Sequence, residues 1–447
     1  MTRQLAFVES PVQLLNVLEW AHTQNPAAGT RPAGVPTAPP HGAPPSGDPT
    51  ATGPTDAART ATAGTTTPAD AARAETGPVD GARADAGLSY GRTTESAADG
   101  GPVDGGPVDG GSAGGGSAGV TPPLTVVVLS PTDPMSRGQL RRMAQLARDQ
   151  GLTVRWQEAR GGRGSLVRTL RELARPLRSA ERVIIGDPFS RYVQLLLSLF
   201  APRHLTVVDD GTATMEFAAQ LGRGERLVRW HRKGSLGPRE LVLAPVTSLA
   251  RRKLAPTRGR TVEIFTSLPV EAPPGVTVTE NTYAWTRDTF GPPKLTGGAD
   301  LVGTSLVETG VVDADHYARV VNELARAHGA TRYFAHRRES AEKLHRIAVE
   351  TGLQVVRPDL PLELIARRGP IGRTVVSFPS TVVHTLPLAL AGTGVKVAVI
   401  EIAPEWLRAT ASPRAQGFLS GVAGTAAHEV DRLTARAASP ADRLEFG

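Results

Sequence analysis

The sequence predicts an α/β protein built from two parallel sheets, each covered by helices on both faces. Three observations predict it. Short apolar runs such as LTVVVLS (Leu124–Ser130), RVIIG (Arg182–Gly186) and HLTVV alternate with amphipathic stretches, as strands buried on both faces do. The alternation is broken once, by a long segment of a different composition. Without that segment about 350 residues remain, a length for two domains rather than one.

The elements follow in order. QLAFVES reads as a strand ending at Ser10-Pro11, an N-cap followed by a residue pre-set for the first helical position. PVQLLNVLEW then has helical spacing. Residues 25–121 interrupt the unit: they are rich in Ala, Gly, Pro, Thr and Asp, with one aromatic residue (Tyr90), no lysine and three copies of GPVDG. Such a segment cannot bury enough apolar surface to offset its conformational entropy, so a disordered insertion is expected. Loop closure grows costly only slowly with length, so the strand at Leu124 can still follow the first helix. Next come a helix at Ser136–Gln150, strand LTVRWQ, helices at Leu166–Leu177 and Tyr192–Phe200, and strand HLTVV. The expected first domain is 1–24 plus 122–258 and the second 259–447. The second opens with TVEIFTS and ADLVGTS and continues through a helix at Asp313–His328, TRYFA, a helix at Ser340–Thr351, QVV, a helix at Leu362–Arg367 and TVVSF. An apolar helix from Val382, strand VKVAVIE and a final helical stretch close it.

Bulk properties narrow the function. There is no cysteine, which excludes disulfides and Cys-ligated zinc or iron–sulfur sites. No apolar run approaches a bilayer span, and Glu9 sits inside the N-terminal apolar stretch, against signal-peptide grammar. The expected location is the cytoplasm, with peripheral contact at the inner face of the membrane consistent with the charge. The formal charge is +7, and the interruption carries −5, which leaves +12 on the rest. That excess favours anionic partners such as nucleotides, phosphates, acidic glycans or anionic lipid.

Ligands of open parallel sheets bind beyond the strand C-termini, so the strand ends carry the candidate site. In the first domain these are Glu9-Ser10, Ser130, Gly186-Asp187 and Asp209-Asp210-Gly211; in the second, Gly303-Thr304-Ser305, His336 to Glu339, Ser377 to Thr381, and Glu401. Acids dominate the first set, hydroxyls and cations the second. Asp209-Asp210-Gly211 admits three readings: a turn, a divalent metal site, or a general base whose proton affinity is raised by a like charge. In FAHRRES, a His just before a helix can donate to a phosphate and later protonate it; the plainer alternative is a solvated first turn with His336 as its cap. Ser380-Thr381 can cap the helix that follows or bind phosphate oxygens. GGRGS at Gly161–Ser165 lacks dinucleotide-binding spacing and reads as a turn. The Arg-rich run from Arg223 to Arg252 reads as a solvated face or a phospholipid-facing one. No P-loop, HExxH or GxSxG motif occurs.

Taken together the motifs resemble those of bacterial sialyltransferases, the alpha-2,8-polysialyltransferase family and the related lipooligosaccharide sialyltransferases. The likeness rests on VESPVQLLN, LVGTSLVETGVVDADHY, YFAHRRES and three ordered motifs, Asp209-Asp210-Gly211, His336-Arg337 and Ser380-Thr381, and it covers most of the chain outside the interruption. The resemblance implies a GT-B glycosyltransferase: two Rossmann-like domains facing across a cleft, with the insertion in the first. It implies inverting transfer of sialic acid, or a related nonulosonate, from a CMP-activated donor to a glycan hydroxyl, with no other cofactor and no essential metal. By carry-over Asp209 is the base, Asp210 supports it, and His336 contacts the CMP phosphate and assists the leaving group. Gly211, Thr304, Ser305, Arg337, Ser380 and Thr381 are then donor-binding, and Ser10, Gln13 and Asp187 line the acceptor side. One departure stands out: Arg337 occupies the position of the family's proline. The alternatives are a GT-B transferase with another donor, such as a CDP-polyol, and a non-catalytic scaffold of polysaccharide biosynthesis. A nucleic-acid binder is disfavoured by an aromatic content of 4%, which leaves few stacking platforms.

Overall fold

The computed structural model describes residues 3–25, 124–160, 162, 164–229, 238–408 and 431–434. The expected insertion, apart from its first residue, lies outside them. Strands β1 (Arg3–Val8), β2 (Leu124–Leu129), β3 (Thr153–Gln157), β4 (Ala180–Ile185), β5 (His204–Val208), β6 (Thr261–Thr266) and β7 (Val276–Glu280) form one sheet in the order β3-β2-β1-β4-β5-β6-β7. Every pairing in it is parallel. The second sheet has the order β10-β9-β8-β11-β12-β13, from β8 (Leu295–Val302), β9 (Ala330–Phe334), β10 (Gln354–Val356), β11 (Ile371–Ser377), β12 (Lys396–Glu401) and β13 (Asp431–Thr434). It too is parallel throughout. Both sheets are flanked by helices, as in a GT-B fold of two Rossmann-like domains.

The local reasons are visible in the sequence. Helix α1 (Pro11–Gln24) starts on Ser10, whose hydroxyl accepts the Gln13 N–H at 3.2 Å, with proline at its first position. Helix α2 (Pro134–Asp149) is capped by Asp133 in the same way. Apolar residues at helical spacing turn α1, α2, α3 (Ser165–Ser179), α4 (Arg191–Leu199) and α5 (Thr212–Gly222) onto the first sheet. Because successive strand residues face opposite sides, the sheet divides its core in two: Phe7 and Val207 lie on one side, Ala6 and Val208 on the other. Around the second sheet, α8 (Ala314–His328), α9 (Ala341–Thr351), α10 (Leu362–Arg368) and α11 (Val382–Ala389) complete the layers.

The sheet boundary differs from the expected one. TVEIFTS was assigned to the second domain at 259, yet β6 pairs with β5 and β7 extends the same sheet. A parallel strand after a helix has the same pattern in either domain, so only pairing reveals its sheet. The intervening helix, α6 (Pro238–Leu254), packs on α4 and returns the chain to the first sheet. The chain changes sheets between Glu280 and Leu295, through α7 (Ala284–Thr289), which packs on α10 and α11. Glu19 of α1 ties this crossing down by accepting the Trp285 and Thr286 N–H groups at 2.9 and 3.0 Å. The helical stretch expected after β12 lies largely outside the described residues; a 3₁₀ turn, Pro404–Trp406, is what they contain. No described helix is long and apolar enough to cross a membrane.

Each order contains a point where neighbouring strands connect to opposite sides, between β1 and β4 in the first sheet and between β8 and β11 in the second. Crevices open at such points beyond the strand C-termini. Ser10 and Asp187 follow the first pair, Gly303 and Phe378–Thr381 the second.

Asp300, buried in β8, holds three strands of the second sheet together. It accepts two bonds from Arg332 of β9, at 2.8 and 2.6 Å, and the Gly372 N–H of β11 at 2.6 Å. Replacing Asp300 with Ala strands a largely buried guanidinium, at a cost of about 3–5 kcal/mol, read as a lower urea midpoint at neutral pH.

Candidate active site

A cavity of about 240 Å³ lies between the C-terminal edges of the two sheets. Its first-sheet wall includes Ser10, Asn16, Asp209, Asp210 and Gly211; its second-sheet wall includes Gly303, His336, Arg337, Ser380 and Thr381. The walls nearly touch: a Cβ on Gly211 would lie 3.4 Å from Thr381 Oγ1, and Gly211 has φ +69°, a conformation side chains disfavour.

The two adjacent acids do different things. Strand alternation at the end of β5 turns them apart. Asp209 is only 2% exposed. It is fully engaged: the Gly211 N–H and the Thr266 hydroxyl donate to its two oxygens at 2.9 Å each, and Asn16 Nδ2 donates to its carbonyl at 2.9 Å. Burial raises its pKa to about 6, against those hydrogen bonds. Asp210 is half-buried on the cavity wall. The Ser10 hydroxyl that caps α1 also donates to Asp210 Oδ1 at 3.3 Å. Burial, and then the charge of Asp187, raise its pKa to about 7. The repelling neighbour is therefore Asp187, from the next strand, not the adjacent Asp209.

Behind this wall lies a polar layer. Asp187 accepts the Phe189 N–H at 2.8 Å and Arg229 Nη2 at 2.5 Å. Arg229, from the run expected to be solvated or lipid-facing, is thus turned inward; residues 230–237 of that run lie outside the described residues. Gln13 Oε1 accepts the Glu9 N–H at 2.7 Å, and the Gln13 side chain covers Gly186 so closely that a Cβ there would sit 2.3 Å from it. Of the three acceptor-side candidates, Ser10 alone lines the cavity, while Gln13 and Asp187 support Asp210 from behind.

On the second sheet His336 follows β9, but the following helix α9 is capped by Ser340 rather than by His336. The turn between them is held from inside: Glu339, 4% exposed, accepts the His336 N–H at 2.5 Å, the Tyr333 hydroxyl at 2.6 Å and Lys343 Nζ at 2.8 Å. The solvated-turn alternative therefore fails for Glu339, though Arg337 and Arg338 are exposed. His336 Nδ1 accepts the Arg338 N–H at 3.2 Å, which puts the imidazole proton on Nε2. Burial, then the charges of Arg337, Arg338 and Lys343, push its pKa down to about 4. At neutral pH it is an uncharged hydrogen-bond donor, not an acid holding a spare proton. An anion bound beside it would raise that pKa.

Ser380 and Thr381 do not cap α11 with their side chains. The Ser380 hydroxyl oxygen is buried with no hydrogen-bond partner among the described residues, the condition of a group awaiting a ligand or water. Thr304 and Ser305, expected to bind donor, are not on the cavity wall. The Thr304 carbonyl instead accepts Lys343 Nζ at 2.8 Å, and the wall position belongs to Gly303, where a Cβ would meet Tyr333 Oη at 2.3 Å.

Several wall residues were not foreseen. Glu363, 5% exposed, accepts the Thr385 hydroxyl at 2.6 Å, and burial raises its pKa. A lone acid in PLELI was the available signal. Arg357 follows β10 and, like Arg337, makes no ion pair among the described residues. Tyr283 is fully buried with φ +57°, a strained setting fixed by Asn281 Oδ1 accepting its N–H at 2.9 Å. Nothing in its sequence context signals that. Among the described residues no three His, Asp or Glu side chains are grouped as a metal site.

No family model and no curated protein matches this sequence. Solved structures with a similar chain course include the α/β-galactoside α-2,3-sialyltransferase of Photobacterium phosphoreum: 10% identity, TM-score 0.38, covering 70% of this chain and 91% of that one. A sialyltransferase GT-B domain from Photobacterium damselae gives 11%, 0.39, 97% and 100%. The E. coli heptosyltransferase WaaC with ADP gives 16%, 0.31, 70% and 90%.

The buried acid has a consequence for stability. With Asp210 raised from 3.8 to about 7, the folded chain keeps a proton that the unfolded chain gives up between those values. Stability therefore falls as pH rises through that window. Asp210→Asn should leave stability unchanged near pH 4 and raise it by on the order of 2 kcal/mol at pH 8, measured by urea unfolding at both pH values.

Proposed function

We propose that the chain is a glycosyltransferase that moves a sugar from a nucleotide-activated donor to a glycan hydroxyl, the donor being a CMP-linked nonulosonate such as sialic acid. One observation carries the reading. A desolvated carboxylate with a pKa near neutrality faces, across a single cavity, a neutral His donor and an unpartnered serine hydroxyl at a helix start. The first is suited to take a proton, the second pair to hold a phosphate.

The geometry favours Asp210 over Asp209 as the base. Both line the cavity, but the two oxygens of Asp209 are occupied by internal donors and its side chain is the more deeply buried, whereas Asp210 is the more exposed of the two, with a proton affinity matched to neutral pH. In the proposed step the acceptor oxygen attacks the anomeric carbon as its proton passes to Asp210. The bond from that carbon to the phosphate oxygen breaks on the opposite face, and its electron pair leaves with the nucleotide. His336 Nε2–H and the Ser380 and Thr381 hydroxyls receive the charge that develops there. Configuration inverts, because attack and departure are on opposite faces.

The finer donor assignment is supported by the ordered motifs and by two cavity-wall arginines, Arg337 and Arg357, that make no ion pair among the described residues. A donor with a carboxylate beside its phosphate supplies two anions for them. The same pair also suits the two phosphates of a nucleoside diphosphate sugar or CDP-polyol, which is the second reading.

A donor panel read by release of CMP, CDP, UDP, ADP and GDP tests the proposal. CMP release from CMP-sialic acid is expected, lowered about 10²–10⁴-fold by Asp210→Asn and much less by Asp209→Asn. Loss in Asp209→Asn alone would return the base to Asp209, and release of no nucleotide from a folded protein would leave the scaffold reading. Arg337→Ala should weaken intact donor by tenfold or more, as expected of a lost charge-assisted contact of about 1.5–3 kcal/mol, and free CMP far less. Equal weakening of both, by calorimetry, would assign Arg337 to phosphate.

A further inference from the structure

Helix α3 carries arginine at positions 168, 171, 175 and 178. The spacing of three, four and three puts them on one helical face. All four are exposed, and none makes an ion pair among the described residues. Its one acid, Glu172, is engaged by Gln157 Nε2 at 3.1 Å. Beside this stripe runs an open groove of about 560 Å³ between α3 and α4. Its apolar lining is Val167, Leu170, Leu177, Leu199 and Phe200, and Arg171 and Arg178 stand on it. Arg178 lies over the Phe200 ring at 5.6 Å. Val167 is 59% and Leu199 57% exposed, two of the four large apolar side chains left in water among the described residues. No acid lines the groove.

An exposed cationic stripe alone suits any polyanion. An exposed apolar rim alone suits any apolar partner. Together on one face they suit a surface that is charged outside and apolar a few ångströms deeper, the interface of an anionic bilayer. We propose that the α3–α4 face is a docking surface for anionic phospholipid. The arginines meet headgroups, and Val167 and Leu199 enter the boundary below them. Arginine is suited to this because its long stem can lie along apolar surface while the charged head stays wet. The surface is built from elements other than those lining the cavity, so the inference does not depend on the chemistry proposed there.

Co-sedimentation of the full chain with phosphatidylcholine vesicles, with and without phosphatidylglycerol, tests it. Binding is expected only with phosphatidylglycerol and is expected to weaken with salt. Since each basic residue near such a surface is worth roughly fivefold, R171E/R178E should lower binding by at least about 25-fold. V167S/L199S, which keeps every charge, should lower it measurably too. Charge reversal elsewhere, at Arg252 and Arg258, should leave most of it intact. All the substituted side chains are partly or fully exposed, and circular dichroism checks folding. Absence of recruitment by phosphatidylglycerol overturns the proposal. So does equal loss on reversing Arg252 and Arg258. Indifference to V167S/L199S, with heparin displacing the vesicles, would assign the stripe to soluble polyanions instead. A monomer–dimer shift in V167S/L199S without vesicle loss would assign the groove to a second copy of the chain.

Discussion

Desolvating a carboxylate raises its proton affinity towards neutral pH, and a fold that does so gives up stability. That constraint organises the first sheet's edge. Asp210 is desolvated beside a second acid, Asp187, so the charged form is disfavoured twice. The surroundings hold the arrangement rather than cancel it. Arg229 pairs with Asp187 and fixes it in place, Ser10 donates to Asp210, and Gln13 fills the space over Gly186. The Ser10 hydroxyl serves two ends at once, accepting from the backbone of α1 and donating to the acid. The helix start is thereby tied to the geometry of the site.

The opposite wall solves the complementary problem. Cations and hydroxyls line it, and the turn that presents them is anchored by buried Glu339. Gly303 is required because any side chain at that position would occupy the space of Tyr333 and Glu339. Burial, and then the charges of Arg337, Arg338 and Lys343, keep His336 neutral. A bound anion would relieve that repulsion, so ligand binding and the proton affinity of His336 are coupled. Acid on one wall and cation on the other also attract across the cavity: Arg337 lowers the pKa of Asp210 against the stronger effects that raise it.

Most of the strand and helix order was legible because both sheets are parallel and buried on two faces, which writes each strand as a short apolar run. The N-cap at Ser10 was legible for the same local reason. Of the residues singled out at strand ends, Asp209, Asp210, His336, Ser380 and Thr381 line the cavity. Thr304 and Ser305 do not line it, because position after a strand does not say which residue of a turn faces the cleft. Arg357 and Tyr283 gave no signal, since an exposed arginine and a tyrosine before a short helix look alike in any loop.

The sequence by itself determined the class of the fold, the element order and the chemical character of each strand end, because these follow from periodicity and residue type along a few neighbouring positions. The tertiary structure alone decided which sheet β6 joins, which of two adjacent aspartates is the more buried, and that Asp187 is the acid opposing Asp210. Those depend on strand pairing and on contacts between residues far apart in the chain, such as Thr266 with Asp209 and Thr381 against Gly211. Local sequence carries no record of such contacts.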